Sequence, residues 1–304
     1  MIQRNVLTRV LTEINKEQSL SGTSIIVTVF GDSVSQHGGS IWLGSLIRAL
    51  APLGINERLV RTSVFRLVND RWLSVRKIAR RSYYSFTDSG KSQFERVARR
   101  IYQTEQQEWD NRWTLLVLSS VPAEKKDELR KKLLWQGFGQ LGHDLFAHHR
   151  FDNQSLDEIM DETSVMNDVV ILHAEAHEFH SRMALKALAQ EKWGIAELEG
   201  RYKRFLVIFR PVLDAIIKKI KLDPEVCFLL RILLIHEYRR ILLKDRDLPI
   251  DLLPSGWPGL NARNLTVNLY SKLSPMAEDF ITSELESAEG PLPKASYSFH
   301  ERFN

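Results

Sequence analysis

The chain has 304 residues, 43% of them hydrophobic, with 42 basic against 38 acidic side chains and a formal charge of +4; this length allows two or three domains, each burying a core without cross-links. A single cysteine, Cys227, excludes an internal disulfide, and its apolar setting between Val226 and Phe228 predicts a packed, inert thiol. No stretch approaches the roughly 20 apolar residues that a membrane crossing needs, and the first turns of the chain mix charges throughout, so a cytoplasmic protein with no membrane partner is expected.

The charge is local. Residues 1–104 carry 16 basic and 7 acidic side chains (+9), which leaves 26 basic and 31 acidic (−5) for the remainder. A first domain over 1–104 opens with apolar-periodic segments at 23–30 and 41–50, the second following a Ser40 cap. Gly38, Gly39 and then Pro52, Leu53 and Gly54 separate them from a helix expected over 56–70. Wound as a helix, that segment places Leu59, Val60, Val64, Leu67 and Val68 on one side and Arg58, Arg61, Thr62, Phe65 and Asn69 on the other. One side can pack and the other can reach a partner. Two strands, 72–75 and 82–86, joined by 76–81, lead to a capped helix over 88–102 that carries Lys91, Arg96, Arg99 and Arg100.

Between Arg58 and Arg81 lie eight basic residues and one acid, Asp70. Two helices separated by a short turn, followed by a basic hairpin, predict an N-terminal winged helix-turn-helix with double-stranded operator DNA as its partner. Arg58, Arg61 and Thr62 are expected to face the major groove and Arg66 the backbone or groove edge. Arg76, Lys77, Arg80 and Arg81 are expected on the wing as phosphate or minor-groove contacts. One winged helix offers a small footprint, so a twofold homodimer is expected.

The second domain, 105–180, begins with a buried-strand pattern at 113–121 and a charged helix at 122–135. Further segments at 138–146, 155–163 and 169–173 fit a ferredoxin-like α/β sandwich. The first strand ends in Ser119, Ser120 and Val121, with no carboxylate to hold a catalytic metal, so the sandwich reads as structural. From 181 to 304 a helical domain is expected, with helices over 183–193, 196–220 broken at Pro211, 224–243, and 261–287 interrupted by Pro275. The fold class is thus α+β, multidomain.

His173, His177 and His180 would share a helix face, but they follow an expected strand and lack a completing carboxylate or cysteine; no metal or cofactor is expected there or at His143, His148 and His149. In the third domain His236, Arg239, Arg240 and Leu243 share a helix side away from Leu229, Leu230, Leu233 and Ile241, with Lys244 at its edge and Trp257 and Arg263 beyond. Arginines beside an aromatic can hold a nucleotide-like anion by bidentate phosphate bonds and stacking. Equally, Glu237, Asp245 and Asp247 can neutralise these cations in a salt-bridge network.

Several long segments, in order, carry a family resemblance: SGTSIIVTVFGDSVSQHGGSIWLGSLIRAL, ERLVRTSVFRLVNDRWL, ARRSYYSFTDSG, WDNRWTLL, LLWQGFGQL and LLIHEYRRILLKDRDLPIDLLPSGWPG. The sequence resembles the PaaX-type transcriptional repressors of phenylacetate degradation. The resemblance implies an operator-binding first domain, a Cas2-like middle domain, and phenylacetyl-coenzyme A as the acyl-CoA effector that releases DNA. Ala79 departs from the glycine expected before Arg80 and Arg81. The alternatives are an enzyme acting on coenzyme A thioesters and a DNA-bound adaptor recruiting a protein partner. The enzyme reading lacks a nucleophile elbow, a glycine-rich phosphate loop and an activated cysteine.

Overall fold

The computed structural model describes residues 2–303 except 18, 103–111, 150, 152, 176, 219–221 and 247. The expected boundary between residues 104 and 105, and Asp247, lie outside the described residues.

Helix α1 (Ile2–Asn15) buries Leu7, Val10 and Ile14 at helical spacing. Helix α2 (Gly22–Asp32) starts at Ser21, whose hydroxyl accepts the Ser24 N–H, and it is apolar almost all round, as a central buried helix must be. Ser40 is not a helix cap. It opens a short strand, β1 (Ser40–Trp42), and α3 (Leu43–Leu50) begins after it. The cause is non-local: β1 pairs with a strand more than thirty residues on, Ile41 opposite Tyr84, and Ile41 is fully buried. Helix α4 (Glu57–Asn69) is capped by Asn56, whose Oδ1 accepts the Leu59 N–H at 2.9 Å.

Strands β2 (Leu73–Ile78) and β3 (Arg81–Phe86) form an antiparallel hairpin, and β3 lies centrally in the order β1-β3-β2. Pairing of Ile78 with Arg81 leaves only Ala79 and Arg80 in the turn, so Arg76 and Lys77 lie within a strand rather than in the connecting segment. Ala79 has φ +51°, the left-handed conformation that favours glycine. In α5 (Asp88–Tyr102), Thr87 Oγ1 accepts the Gly90 N–H at 2.9 Å. Gly90 is required there, because a Cβ would stand 2.2 Å from the Trp72 carbonyl oxygen.

The middle of the chain runs β4 (Arg112–Val117), α6 (Ala123–Trp135), β5 (Gly139–Gly142), β6 (Leu145–His148), α7 (Asn153–Glu162) and β7 (Val170–Glu175). Its strands order as β5-β6-β4-β7, every neighbour antiparallel, which is the β-α-β-β-α-β sandwich connectivity expected from sequence. The 138–146 segment is resolved into parts of two paired strands. One sheet face and the helices bury Leu116, Leu129, Leu133, Phe138, Phe146 and Ile159. Trp113 and Ala147 pack instead with Ala189 and Trp193 from α8 (Phe179–Lys192) and its end, together with Leu248, Leu252 and Leu253.

Helices α9 (Ile195–Ile217), α10 (Pro224–Leu242) and α11 (Gly259–Glu284) follow, then a small hairpin of β8 (Glu286–Ser287) and β9 (Gly290–Pro291), and α12 (Tyr297–His300). Neither proline breaks its helix: Pro211 lies inside α9 and Pro275 inside α11. The carbonyls left without an intrahelical donor belong to the exposed Val207 and Ser271, where water can serve them. Cys227 is buried in α10, and burial together with Asp223 pushes its thiol up to about 12, so it is neutral and inert.

The chain forms two compact units. One comprises Met1–Thr104, Tyr202–Leu243 and Pro258–Asn304; the other comprises Glu105–Arg201 and Lys244–Trp257. Within the first, α2 packs on α4, α5 and α10, and α10 on α11. Residues assigned from sequence to the first and third segments thus share one body.

Candidate nucleic-acid interface

The face that α4 turns inward is Val60, Ser63, Val64 and Leu67. Its outward face carries Arg58, Arg61, Thr62, Phe65, Arg66 and Asn69, all exposed. Leu59 lies at the margin, 39% exposed, over Gly22 of α2. Gly54, with φ +79°, closes the turn before α4 by donating its N–H to the Ala51 carbonyl. Arg61 Nε donates to Glu57 Oε1 at 2.8 Å, an exposed pair one helical turn apart that water screens and a phosphate can displace. The Thr62 hydroxyl donates to the Arg58 carbonyl at 2.9 Å. A helix bearing three arginines on one exposed face can both bind phosphates and present planar donors to base edges.

The hairpin extends this basic surface, since the Trp72 N–H at its start donates to the Leu67 carbonyl of α4 at 2.8 Å. Arg76, Lys77 and Arg80 are exposed on it. Arg81 is differently placed. Its Nη1 donates to Glu286 Oε2 at 2.9 Å, and its guanidinium lies 4.1 Å from the Trp42 ring centroid. Arg48 approaches the same ring at 5.0 Å and the same carboxylate at 3.7 Å. The turn end of the hairpin is therefore tied to the β8–β9 hairpin by an acid between two arginines, Arg81 and Arg48 of α3.

The residues expected to hold an effector are distributed over both units. His236 is buried on α10, its Nδ1 3.3 Å from the Thr28 hydroxyl of α2. Burial, with Arg239 and Arg240 nearby, pushes its imidazole down to about 3, so it is neutral. Arg239 is also buried; its Nη2 donates to the Ser24 carbonyl and hydroxyl at 3.1 and 2.8 Å, and burial pushes it down to about 10. Arg240 is partly exposed and pairs with Glu237 at 3.0 Å, as the salt-bridge alternative anticipated. Arg263, on the first turns of α11, is half-buried with Nη2 enclosed and without a hydrogen-bond partner. Lys244 and Trp257 belong to the other unit, the lysine exposed and the indole packed against the Trp113–Trp193 cluster.

Among the described residues no group of three metal-ligating side chains comes together, and no helix is long and apolar enough to cross a membrane. His173 lies on β7 and His180 in α8, so they do not share a helix face with His177. His143 is engaged with Arg130 and Asp144, and His148 stacks on His149 at 4.9 Å.

A buried polar cluster was missed from sequence. Asp32 at the end of α2 faces Arg231 of α10 and Arg302 near the C-terminus, and it accepts the hydroxyls of Tyr102 at 2.7 Å and Tyr270 at 3.0 Å. Arg231 Nη1 donates to Glu278 Oε1 at 2.8 Å; Glu278 Oε2 meets His37 Nε2 at 2.7 Å. Burial alone would raise the Asp32 carboxyl, but Arg231, Arg302 and the two tyrosines together hold it below the usual carboxylate range. The sequence signal was available: a lone arginine inside the apolar run 226–235 needs a buried counter-charge.

Comparison with known proteins is consistent along most of the chain. Residues 21–90 match the family described as PaaX-like protein, 106–185 the central Cas2-like domain of PaaX protein, and 193–283 the C-terminal domain of PaaX-like protein. The chain is 39% identical to the transcriptional repressor PaaX of Escherichia coli K12 over 285 residues, covering 93% of this chain and 90% of that protein. Among solved structures it is similar in fold to the uncharacterized protein Rv0674 of Mycobacterium tuberculosis, with a TM-score of 0.52, 21% identity, and coverage of 85% of this chain and 97% of that one.

Proposed function

The chain belongs to the PaaX family of transcriptional repressors, a regulatory and not an enzymatic group, and from that premise we propose that it represses phenylacetate catabolic genes by binding operator DNA until phenylacetyl-coenzyme A releases it. In this reading residues 1–104 form a winged helix-turn-helix, with α4 as recognition helix and β2–β3 as wing. Residues 105–180 form the sandwich, and 181–304 a helical segment that senses the effector and supports dimerisation. The protein acts in the cytoplasm as a homodimer on two half-sites related by a twofold axis.

The observation that carries the reading is the division of α4 into a buried apolar face and an exposed face bearing Arg58, Arg61 and Arg66. For the effector, Arg240 and Arg263, both in the unit that carries α10 and α11, are the proposed contacts to phosphate groups. His236 and Arg239, committed to Thr28 and Ser24 of α2, are suited to passing the occupancy of α10 to the DNA-reading helices. A ligand can shift that equilibrium only by its differential affinity for the two states, typically about 1 to 3 kcal/mol.

The experiment is fluorescence anisotropy on the promoter-proximal duplex, titrated with phenylacetyl-coenzyme A, coenzyme A or free phenylacetate. Release by the thioester alone supports the proposal. Equal release by free phenylacetate would remove the role given to the phosphates.

A further inference from the structure

Phe65 is an apolar side chain in the middle of the basic face of α4, 65% exposed, and nothing in the fold accounts for it. The buried face of the helix is complete without it. Its helical neighbours, Arg58 and Thr62 before it and Asn69 after it, are exposed and polar, and Arg61 and Arg66 flank it. Eight cations against one acid over 58–81 make this surface complementary to a polyanion rather than to an average protein surface.

A phenyl ring neither donates nor accepts hydrogen bonds of consequence to base edges. In the major groove the apolar feature of a base-pair edge is the thymine 5-methyl group. Insertion between base steps from the minor groove does not suit a ring on a helix, because that groove, about 6 Å wide, cannot admit a cylinder about 10 Å across. We propose that Phe65 reads a thymine methyl in the operator's major groove, making it a specificity-determining residue between arginines that supply affinity. This rests on α4 being the recognition helix.

The test starts from the tightest duplex that the wild-type protein selects from a random-sequence library. Each thymine is replaced singly by uracil, which removes only the methyl group, and affinities of wild type and Phe65→Ala are measured by anisotropy at one salt concentration. At one position in each half-site the wild type is expected to lose about three- to tenfold on loss of the methyl, in keeping with burial of one such group. Phe65→Ala is expected to bind the thymine duplex more weakly by a similar factor and to be indifferent to uracil there. Phe65→Leu, which keeps an apolar tip, should retain part of the discrimination.

A wild type indifferent to every thymine-to-uracil change, or a Phe65→Ala protein with the full penalty, would overturn the assignment while leaving operator binding intact. A fall in oligomer mass for Phe65→Ala in light scattering, with the thymine preference unchanged, would make Phe65 a subunit contact and overturn it as well. Failure of the wild type to select any duplex would remove the recognition-helix reading itself, and this assignment with it.

Discussion

Arg231 and Asp32 face each other at 3.1 Å, and neither side chain is exposed. The pair joins α10, from the C-terminal half of the chain, to the end of α2, which supports α4. Arg302 donates to the Asp32 and Gly31 carbonyls and lies 4.0 Å from the Tyr102 ring, so the last turns of the chain close the same cluster. Desolvating two charges is costly, and this pair is compensated by the hydroxyls and second charges around it.

Removing one partner leaves the other buried and unpaired. Arg231→Met and Asp32→Asn are each expected to lower the unfolding free energy by about 3 to 5 kcal/mol, whereas the double variant should lose much less than the sum. Urea unfolding of all four proteins gives the coupling; additive losses would show that the two side chains stabilise the fold independently.

His236 makes stability pH-dependent in a defined window. Its folded-state pKa is about 3, below the ordinary histidine value of about 6.5, so between those values the unfolded chain takes up a proton that the native protein refuses. The stabilisation is present above pH ~6.5 and is lost as the pH falls, at up to about 1.4 kcal/mol per pH unit. Asp32 and Glu278, both held below their ordinary values, add losses only at more acid pH. The expected result is a steady fall in urea midpoint from pH 6.5 to 4.5 in wild type and a shallower one in His236→Gln. Parallel slopes would assign the titration to another group.

Arg80 and Arg81 are neighbours with different expected roles. Arg80 stands in the turn, while Arg81 is shared between Glu286 and Trp42. If each phosphate contact contributes about 0.9 to the slope of log affinity against log salt, Arg80→Ala should flatten it by about that amount and Arg81→Ala by less. Glu286→Gln should free Arg81 and steepen the slope. A Glu286→Gln slope equal to wild type would mean that the carboxylate does not compete with DNA.

Much of this interface was legible because its determinants are local. The periodicity of 56–70, Asn56 as cap, Gly54 in the turn and the aromatic, β-branched strands all act over a few residues; the structure has α4 where it was expected, and a hairpin whose strands extend through most of the connection expected at 76–81. Even the oddity of Ala79 was visible: it takes the positive φ where glycine was anticipated. What was not legible depends on distant chain. Strand β1 exists because β3 passes beside it, and His236 and Arg239, polar on a helical wheel, are buried because α2 lies against that side of α10. Proline looked like a stop at 211 and 275 because sequence does not show that the residues one turn earlier, Val207 and Ser271, are exposed to water.

The central claim is that the exposed face of α4 reads DNA sequence, and the most direct measurement is the affinity of Arg58→Ala and Arg61→Ala for the selected duplex and for a random duplex. Loss of a bidentate base contact should weaken binding to the selected duplex by about 1 to 3 kcal/mol and narrow its preference over random DNA, with the fold unchanged by circular dichroism. If both variants discriminate the two duplexes as well as wild type does, α4 is not the recognition helix.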